Sequence, residues 1–339
     1  GGLRFPFDLA PAEGEVVEVA EGILWIRLPL PMALDHVNVY ALADDDGWTL
    51  VDTGLDTRRT RAIWQRLLDG PLSGRPVARV IVTHHHPDHV GLAGWLQSQG
   101  AELWTTRTAW LYARMLVLDE QHTPSPQQQQ FWRRAGIGEG EIARKANERP
   151  FNFADCVAPM PVGFFGLEEG DLLTLAGRKW LVLLGGGHAP DHITLWSESD
   201  GLILGGDQLL PGISANIGVY PTEPEADPLS DWIESCRRFR PLASPDQLVL
   251  PGHKLPFTGL PLRLTQMIEN HDGALERLHH HLSSPRLAVD CFAPLFKREI
   301  GPDSFPLALA ETVAHLNHLL RSGAALREER QGAWLWRRS

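Results

Sequence analysis

The 339-residue sequence contains little cysteine and no long apolar run. Its three cysteines, Cys156, Cys236 and Cys291, are far apart and form no CxxC pair; this usage is typical of reduced structural thiols in a cytoplasmic protein. No apolar stretch approaches the roughly 18 residues that a membrane helix requires. The first ten residues, GGLRFPFDLA, lack the charged and apolar segments of a secretory signal. We therefore expect a cytoplasmic protein that does not act in a membrane.

The sequence also lacks an excess of basic residues and a G-x-S-x-G motif. Its formal net charge of −11 disfavours general nucleic-acid binding, because phosphate contacts require a basic surface. An anionic substrate remains compatible with this charge if bound cations make one site locally positive. Without the G-x-S-x-G turn, the usual serine nucleophile of α/β-hydrolases is not predicted.

Strand-like and helix-like segments alternate along the chain and predict a sheet-rich α/β core covered by helices. The predicted strands are residues 16–20, 23–28, 37–42, 48–52, 77–83, 102–105, 172–175, 180–184, 193–196, 202–206 and 247–250. Apolar spacing predicts helices over residues 57–68 and 90–99.

We predict two domains, residues 1–260 and residues 261–339. The first carries a mostly helical insertion at about residues 108–165, with a polar turn at 123–130, which is either a lid or a surface hairpin. In the second, helices beginning near Leu264 and spanning residues 307–321 precede an alternating pair of strands at 327–336. This order predicts a winged-helix-like domain.

The motif with the clearest chemistry is THHHPDHVG, directly after the predicted strand 77–83. A loop that leaves a strand can turn alternate side chains inward, so His84 and His86 can share one cation. Asp88 and His89 can then face a second cation. Imidazole and carboxylate are donors that suit zinc and neighbouring metals.

Three further candidate ligands follow strands and are preceded by glycine: His188, Asp207 and His253. Glycine lets the backbone turn sharply and approach a site closely. Because ligand sites of open α/β sheets lie beyond the carboxyl ends of strands, these residues and the THHHPDHVG loop predict one dinuclear metal site.

These motifs, together with LVDTG at 50–54, resemble the metallo-β-lactamase superfamily. The resemblance implies an αββα sandwich with two divalent metal ions at one edge; zinc suits the donors best, and iron or manganese also fit. It assigns three ligands to the first metal, three to the second and one bridge: His84, His86 and His188; Asp88, His89 and His253; and Asp207. Asp52 matches a position that supports the metal loop from outside. We expect Asp88 also to have a catalytic role, in which it would orient the metal-bound hydroxide.

The chain departs from the commoner GHTPG pattern at GHAPDH, which introduces Asp191 and His192. Either residue contacts substrate or supports the ligands from the second layer, and a hydrogen bond that orders the loop is the preferred interpretation. His85 lies between ligands and is expected to point away from them.

The segment after Asp207, QLLPGISANIGVYPTEPEADPLSDW, places Ser214, Asn216 and Tyr220 near the opening of the site. With the C-terminal helices, it resembles a branch of the superfamily that includes acyl-thioester hydrolases and a mitochondrial single-strand endoribonuclease. The leading hypothesis is hydrolysis of acyl thioesters of coenzyme A, acyl-carrier protein or glutathione type. Ribonuclease and lactonase activities are alternatives, a β-lactamase is less favoured, and a metal-stabilised partner-binding scaffold is least favoured. The C-terminal domain is expected to cap the core or form a homodimer interface rather than bind nucleic acid.

Overall fold

The computed structural model describes residues 2–339 and contains, within them, fourteen strands and ten α-helices. The strands are β1 Val17–Ala20, β2 Ile23–Pro29, β3 His36–Asp44, β4 Gly47–Val51, β5 Val77–Ile81, β6 Glu102–Thr105, β7 Phe165–Gly166, β8 Leu172–Leu175, β9 Arg178–Gly185, β10 His192–Ser197, β11 Leu202–Gly206, β12 Leu248–Pro251, β13 Ala325–Arg330 and β14 Ala333–Arg338. The helices are α1 Arg58–Asp69, α2 Pro87–Val90, α3 Ala93–Ser98, α4 Arg107–Leu118, α5 Pro126–Ala135, α6 Glu139–Lys145, α7 Pro228–Phe239, α8 Leu260–His281, α9 Phe292–Phe296 and α10 Phe305–Arg321.

Two sheets pack face to face, and helices cover their outer sides. The first sheet has seven strands in the order β1 to β7, and the second has five in the order β12-β11-β10-β9-β8. β11 and β12 are parallel, as are β4 to β7, so several strands end at the same edge. This arrangement confirms the predicted αββα sandwich with a helical C-terminal region.

Strand β2 illustrates why the sequence forms layers. Ile23 and Trp25 belong to the core between the two sheets, whereas Ile26 and Leu28 pack in the cluster that includes Trp64 of α1. Because successive side chains of a strand point to opposite faces, a strand that is apolar at nearly every position must be covered on both sides. The sandwich supplies both coverings.

Two local predictions were wrong. The helix predicted over residues 90–99 is shorter, since α2 ends at Val90, α3 spans Ala93–Ser98, and Leu92 between them has non-helical angles, φ −105° and ψ 9°. Gly91 lies against the turn after β4, where a Cβ atom would lie 2.2 Å from the carbonyl oxygen of Gly54. The polar segment 123–130 is also not all turn, since α5 begins at Pro126 with Ser125 as its N-cap and includes the glutamine run.

The C-terminal region consists of α8, α9 and α10 followed by the β13–β14 hairpin. Its core includes Leu278, Leu309 and Trp336 together with Phe131 and Ile142 of the insertion. The insertion is therefore helical up to Lys145, and two of its helices pack against the C-terminal region. The domain boundary at 260/261 and the likeness to winged-helix domains stay predictions. Between residues 2 and 339, no helix has both the length and the apolar character needed to cross a membrane.

Candidate metal centre

The THHHPDHVG loop begins where β5 ends and leads into α2. His86 has extended backbone angles, φ −66° and ψ 147°, and immediately precedes Pro87, the first residue of α2. Proline suits this first helical position because its fixed φ is helical and no amide donor is needed there. His84 and His86 therefore lie on the loop, while Asp88 and His89 lie in the helical turn.

The other candidate ligands arrive from the second sheet. His188 follows β9, Asp207 follows β11 and His253 follows β12. A Cβ atom on Gly252 would lie 2.3 Å from Oδ1 of Asp207, so only glycine allows this approach of the β12 loop. The parallel pairing of β11 with β12 brings Asp207 and His253 to the same edge.

The structure brings all seven predicted metal ligands together as two groups. His84, His86 and His188 form the first, and Asp88, His89, Asp207 and His253 form the second; within each group the potential ligand atoms lie within 4.8 Å of one another.

Asp207 lies between the two groups. Its Oδ2 is 3.4 Å from Nε2 of His188 and 3.8 Å from Nε2 of His84, both in the first group. The same oxygen is 3.2 Å from Nε2 of both His89 and His253 in the second group. A single carboxylate therefore contacts imidazoles of both groups.

Several inward-facing atoms have no protein partner. Nε2 of His84, Nε2 of His188 and Oδ1 of Asp207 are buried without a hydrogen bond. Buried polar atoms in proteins are normally paired, and imidazole nitrogen and carboxylate oxygen are donors for divalent first-row metals. These residues fit a pair of divalent cations.

The outer nitrogens of four of these imidazoles are fixed by hydrogen bonds. Nδ1–H donates from His84 to Thr83 Oγ1 at 2.9 Å and from His89 to Asp52 Oδ2 at 2.7 Å. His188 donates to the carbonyl of Asn216 at 2.8 Å, and His253 to the carbonyl of His36 at 2.7 Å. A proton on Nδ1 leaves the Nε2 lone pair directed into the site, as metal ligation requires.

Burial and neighbouring charges divide the imidazoles electrostatically. Burial and the adjacent imidazoles hold the pKa values of His84 and His86 well below the usual range. Burial also opposes charge on His253, but the carboxylates of Asp207 and Asp88 raise its pKa to about 10. In turn, despite burial, His253 and His89 hold the pKa of Asp207 well below its usual range.

Of the residues predicted to support the ligands, Asp52 and His192 contact the site directly. Asp52 adopts a positive φ of 65° and accepts hydrogen bonds from the amide and the hydroxyl of Thr83 as well as from His89. His192 stacks on His84 at 4.4 Å, and its Nε2 accepts the amide hydrogen of Asp207 at 3.1 Å. Gly206 makes this possible, since a Cβ there would lie 2.5 Å from the His192 ring.

Asp191 is placed differently. Its carboxylate accepts a hydrogen bond from the hydroxyl of Thr108, and its carbonyl accepts one from Thr106 at 3.2 Å. Both partners lie at the start of α4, so Asp191 joins the GHAPDH loop to the insertion. This placement agrees with the preferred interpretation of a loop-ordering hydrogen bond.

Sequence reasoning missed two supporting residues, Thr83 and His36. Thr83 links Asp52 to His84. The carbonyl of His36 accepts a hydrogen bond from Nδ1–H of His253, and Nε2 of His36 accepts one from the amide of Lys254 at 2.8 Å. Thr83 could have been found from its position in the motif, whereas His36 is 217 residues from His253 and had no local signal.

The three predicted substrate residues lie on the segment between β11 and α7. Asn216 is half-buried and its carbonyl holds His188, while Tyr220 is exposed and donates its hydroxyl hydrogen to Asn216 Oδ1 at 3.2 Å. Ser214 is exposed. His85 belongs to neither ligand group, and its ring lies 5.1 Å from that of Tyr112.

Comparison with known proteins agrees with this geometry. The sequence model described as "Metallo-beta-lactamase superfamily" matches residues 32–253, from before β3 to the last candidate ligand. The chain belongs to the metallo-beta-lactamase superfamily. A second model, "Metallo-beta-lactamase-like, C-terminal domain", matches residues 275–339.

Individual relatives cover nearly the whole chain. A probable metallo-hydrolase of Bacillus subtilis, YqjP, is 28% identical over 312 residues, which are 88% of this chain and 92% of the relative. A beta-lactamase domain protein from Burkholderia ambifaria has a TM-score of 0.90 at 36% identity, covering 99% of this chain and 98% of its own. A metallo-beta-lactamase family protein from Thermus thermophilus, TTHA1429, has a TM-score of 0.80 at 28% identity, covering 95% and 100%. The protein is therefore a metal-dependent hydrolase whose His/Asp groups fit a dinuclear divalent metal site.

Proposed function

We propose that this protein hydrolyses acyl thioesters with two divalent metal ions, zinc being the metal that the donors suit best. The observation that carries the proposal is the shared position of Asp207 between the two ligand groups. His84, His86 and His188 would hold the first ion and Asp88, His89 and His253 the second. Asp207 would contact both. When bound, such a pair acidifies water and polarises an acyl carbonyl.

Asp88 is the carboxylate suited to handle a proton. Its side chain is 20% exposed, compared with 7% for Asp207, so it is the more accessible from outside the site. Asp88 Oδ2 is 3.3 Å from Nε2 of both His89 and His253. Asp88 would help to hold the second ion, and we propose that it would also orient the attacking water and accept its proton.

The three cysteine thiols are poorly suited to act as nucleophiles. Burial and nearby carboxylates raise the pKa of Cys156 to about 11, so its thiol is protonated at neutral pH. Burial likewise raises the pKa values of Cys236 and Cys291 to about 12. A hydrolytic role for water agrees with these protonated thiols.

Apolar side chains beside the metal loop support an acyl substrate. The rings of Tyr112 and Phe153 lie 5.1 Å and 6.3 Å from that of His85. Met115, one turn after Tyr112 near the exposed face of α4, is solvent-accessible, and so is Phe151, whose ring is 6.0 Å from that of Phe153. An alkyl chain that leaves the metal centre along this surface would bury apolar area.

The charge around the site disfavours the ribonuclease hypothesis. Burial raises the pKa of the Tyr112 phenol, and the nearby carboxylate of Glu223 raises it further. Glu311 lies beside Asn216. With a net charge of −11, these carboxylates oppose a polyanionic strand, whose binding depends on phosphate neutralisation.

Thiol release from a panel of acyl-CoA and acyl-glutathione thioesters tests the proposal. We expect the zinc-loaded protein to reach a kcat/KM of roughly 10⁴ M⁻¹s⁻¹ or more with its preferred thioester. Asp207→Ala should abolish turnover, and Asp246→Ala, which removes an exposed aspartate paired with Arg4, should not. Absence of turnover in a fully metallated sample would refute the thioester assignment, and parallel assays with lactones and single-stranded RNA would identify the alternative.

A further inference from the structure

The segment between Asp207 and α7 is attached along helix α10 of the C-terminal region. The amide of Val219 donates to the carbonyl of Ala310 at 3.0 Å. Nδ2 of the buried Asn317 donates to the carbonyls of Pro224 and Ala226 at 3.0 and 2.9 Å. Since this segment begins at the shared carboxylate, α10 is connected to the metal centre by a short, repeatedly fixed length of chain.

Asn216 makes the contact between this segment and a metal ligand. Its backbone carbonyl accepts Nδ1–H of His188 at 2.8 Å. Its side-chain amide donates to the carbonyl of Leu307 and to Oε2 of Glu311, both at 3.3 Å. Leu307 and Glu311 are on α10, so the residue that fixes the His188 tautomer is itself held by the C-terminal region.

The surroundings of Asn216 are packed closely. A Cβ atom on Gly218 would lie 2.8 Å from the Tyr220 hydroxyl and 3.0 Å from Oδ1 of Asn216, so a side chain at position 218 would disturb the hydroxyl-to-amide contact. Burial raises the pKa of Glu311 to about 7, and the hydrogen bond from Asn216 opposes this shift. Glu311 is thus a desolvated carboxylate for which Asn216 supplies a hydrogen-bond donor.

The other fixed imidazoles do not depend on α10. The Nδ1 partners of His84, His89 and His253 are Thr83, Asp52 and the carbonyl of His36, all in the first 83 residues. Only for His188, among these four histidines, does the partner rest on the C-terminal region.

We propose that Glu311 and Asn216 are positioning residues through which the C-terminal region sets the affinity of the first metal site. They hold His188 with Nε2 directed at the metal and leave the second site unaffected. Loss of a hydrogen bond behind a metal ligand typically lowers metal affinity about 10–100-fold. This inference rests on the two-metal site and not on the identity of the substrate.

Titration of the metal-free protein with Co²⁺, followed by its visible absorption, tests the proposal. His188→Ala identifies which binding step belongs to the first site. We expect Glu311→Ala to weaken that step about tenfold and to leave the other step within a factor of about two. Glu311→Gln should restore most of the affinity, because its amide oxygen still accepts from Asn216. Asn216→Ala should reproduce the Glu311→Ala result.

Glu225→Gln is the matched control. Glu225 pairs with Arg327 across the same contact with the C-terminal region, at 2.9 Å, but has no hydrogen bond to Asn216. The Glu225→Gln variant should bind both ions as the unmodified chain does. Two wild-type binding steps in Glu311→Ala would overturn the proposal, as would equal weakening of both steps or an equal effect of Glu225→Gln. If the unmodified chain binds no Co²⁺, the two-metal assignment itself fails, which is a different result.

Discussion

The imidazoles of the two ligand groups are oriented by different kinds of contact. The first consists of three imidazoles, and burial holds the pKa values of His84 and His86 far below the usual range. The second contains two carboxylates, which raise the pKa of His253 to about 10 and that of His89 well above its ordinary value, although burial opposes both shifts. Because the first group has no carboxylate besides the shared Asp207, we expect the orientation of its imidazoles to depend more on hydrogen bonds from the surrounding chain.

Those hydrogen bonds differ as well. His89 donates to the charged Asp52 at 2.7 Å, and charge-assisted hydrogen bonds are stronger than neutral ones. His188 donates to a main-chain carbonyl on an irregular segment whose position depends on α10. His89 of the second group is therefore held by a charged partner within the sandwich, and His188 of the first group by a neutral contact that extends to the C-terminal region.

Asp207→Ala should weaken metal binding at both sites and so remove the difference between them. Its carboxylate contacts imidazoles of both groups at 3.2–3.8 Å. We expect kcat/KM to fall by more than the roughly 100-fold typical of losing an outer hydrogen-bond partner. Bound metal counted by elemental analysis after dialysis should fall below one ion per chain. Retention of two ions would show that the carboxylate is not shared.

The buried pair His271–His315 sharpens the comparison, because it is kept neutral mainly by burial. Their ring nitrogens lie 3.2 Å apart, and burial lowers the pKa of His271 to about 3 and that of His315 to about 4. His318 and Arg277 also oppose charge here. The folded pKa lies below the unfolded value, so this pair costs nothing above about pH 6.5 and reduces stability as the pH falls towards 3.

Urea unfolding of the metal-free protein at pH 7 and pH 4 measures this effect. For His271 alone, a shift from 6.5 to about 3 corresponds to about 3 kcal/mol lost at pH 4. His271→Leu should show a shallower decline over this range, and comparing the two declines cancels the titration of the other histidines. Parallel declines would contradict the assigned direction.

Asp52→Asn should weaken the second site more than the first. Asparagine can keep one hydrogen bond to Thr83 but loses the charge that faces His89. We expect the affinity for the second ion to fall about 10–100-fold, measured in the Co²⁺ titration against Glu311→Ala, which should weaken the other step. If Asp52→Asn and Glu311→Ala weakened the same Co²⁺-binding step, the assignment of separate supporting contacts to the two metal sites would be refuted.

The sequence predicted the ligands because their signals are local. His84, His86, Asp88 and His89 occupy one loop, and the other three ligands each follow a glycine at a strand end. The layered core was also predictable, since apolar periodicity acts over a few residues. The break between α2 and α3 at Leu92 was missed because apolar periodicity continues across it, and the close approach of Gly91 to Gly54, 37 positions earlier along the chain, has no local signal either.

The residues that orient the ligands were harder to predict for the same reason. His36 contacts His253 across 217 positions, and Glu311 contacts Asn216 across 95. Asn216 itself was selected from the sequence as a substrate residue, yet its described contacts are to His188, Tyr220 and α10. Periodicity gives no information about such pairs, which exist only after the sheets and the C-terminal region have packed.

Tyr220→Phe should have the smallest effect on metal affinity among these variants. Its size compares the contact of Tyr220 with the other contacts of Asn216. It removes only the hydroxyl that donates to Asn216 Oδ1 at 3.2 Å, from a residue that is 44% exposed. Because water can replace this donor, the net loss should stay below the roughly 1 kcal/mol of a typical hydrogen bond. The Co²⁺ affinity of the first metal site should then fall less than about fivefold. If Tyr220→Phe weakened that step as much as Glu311→Ala, the side-chain carbonyl of Asn216, and not its link to α10, would control His188.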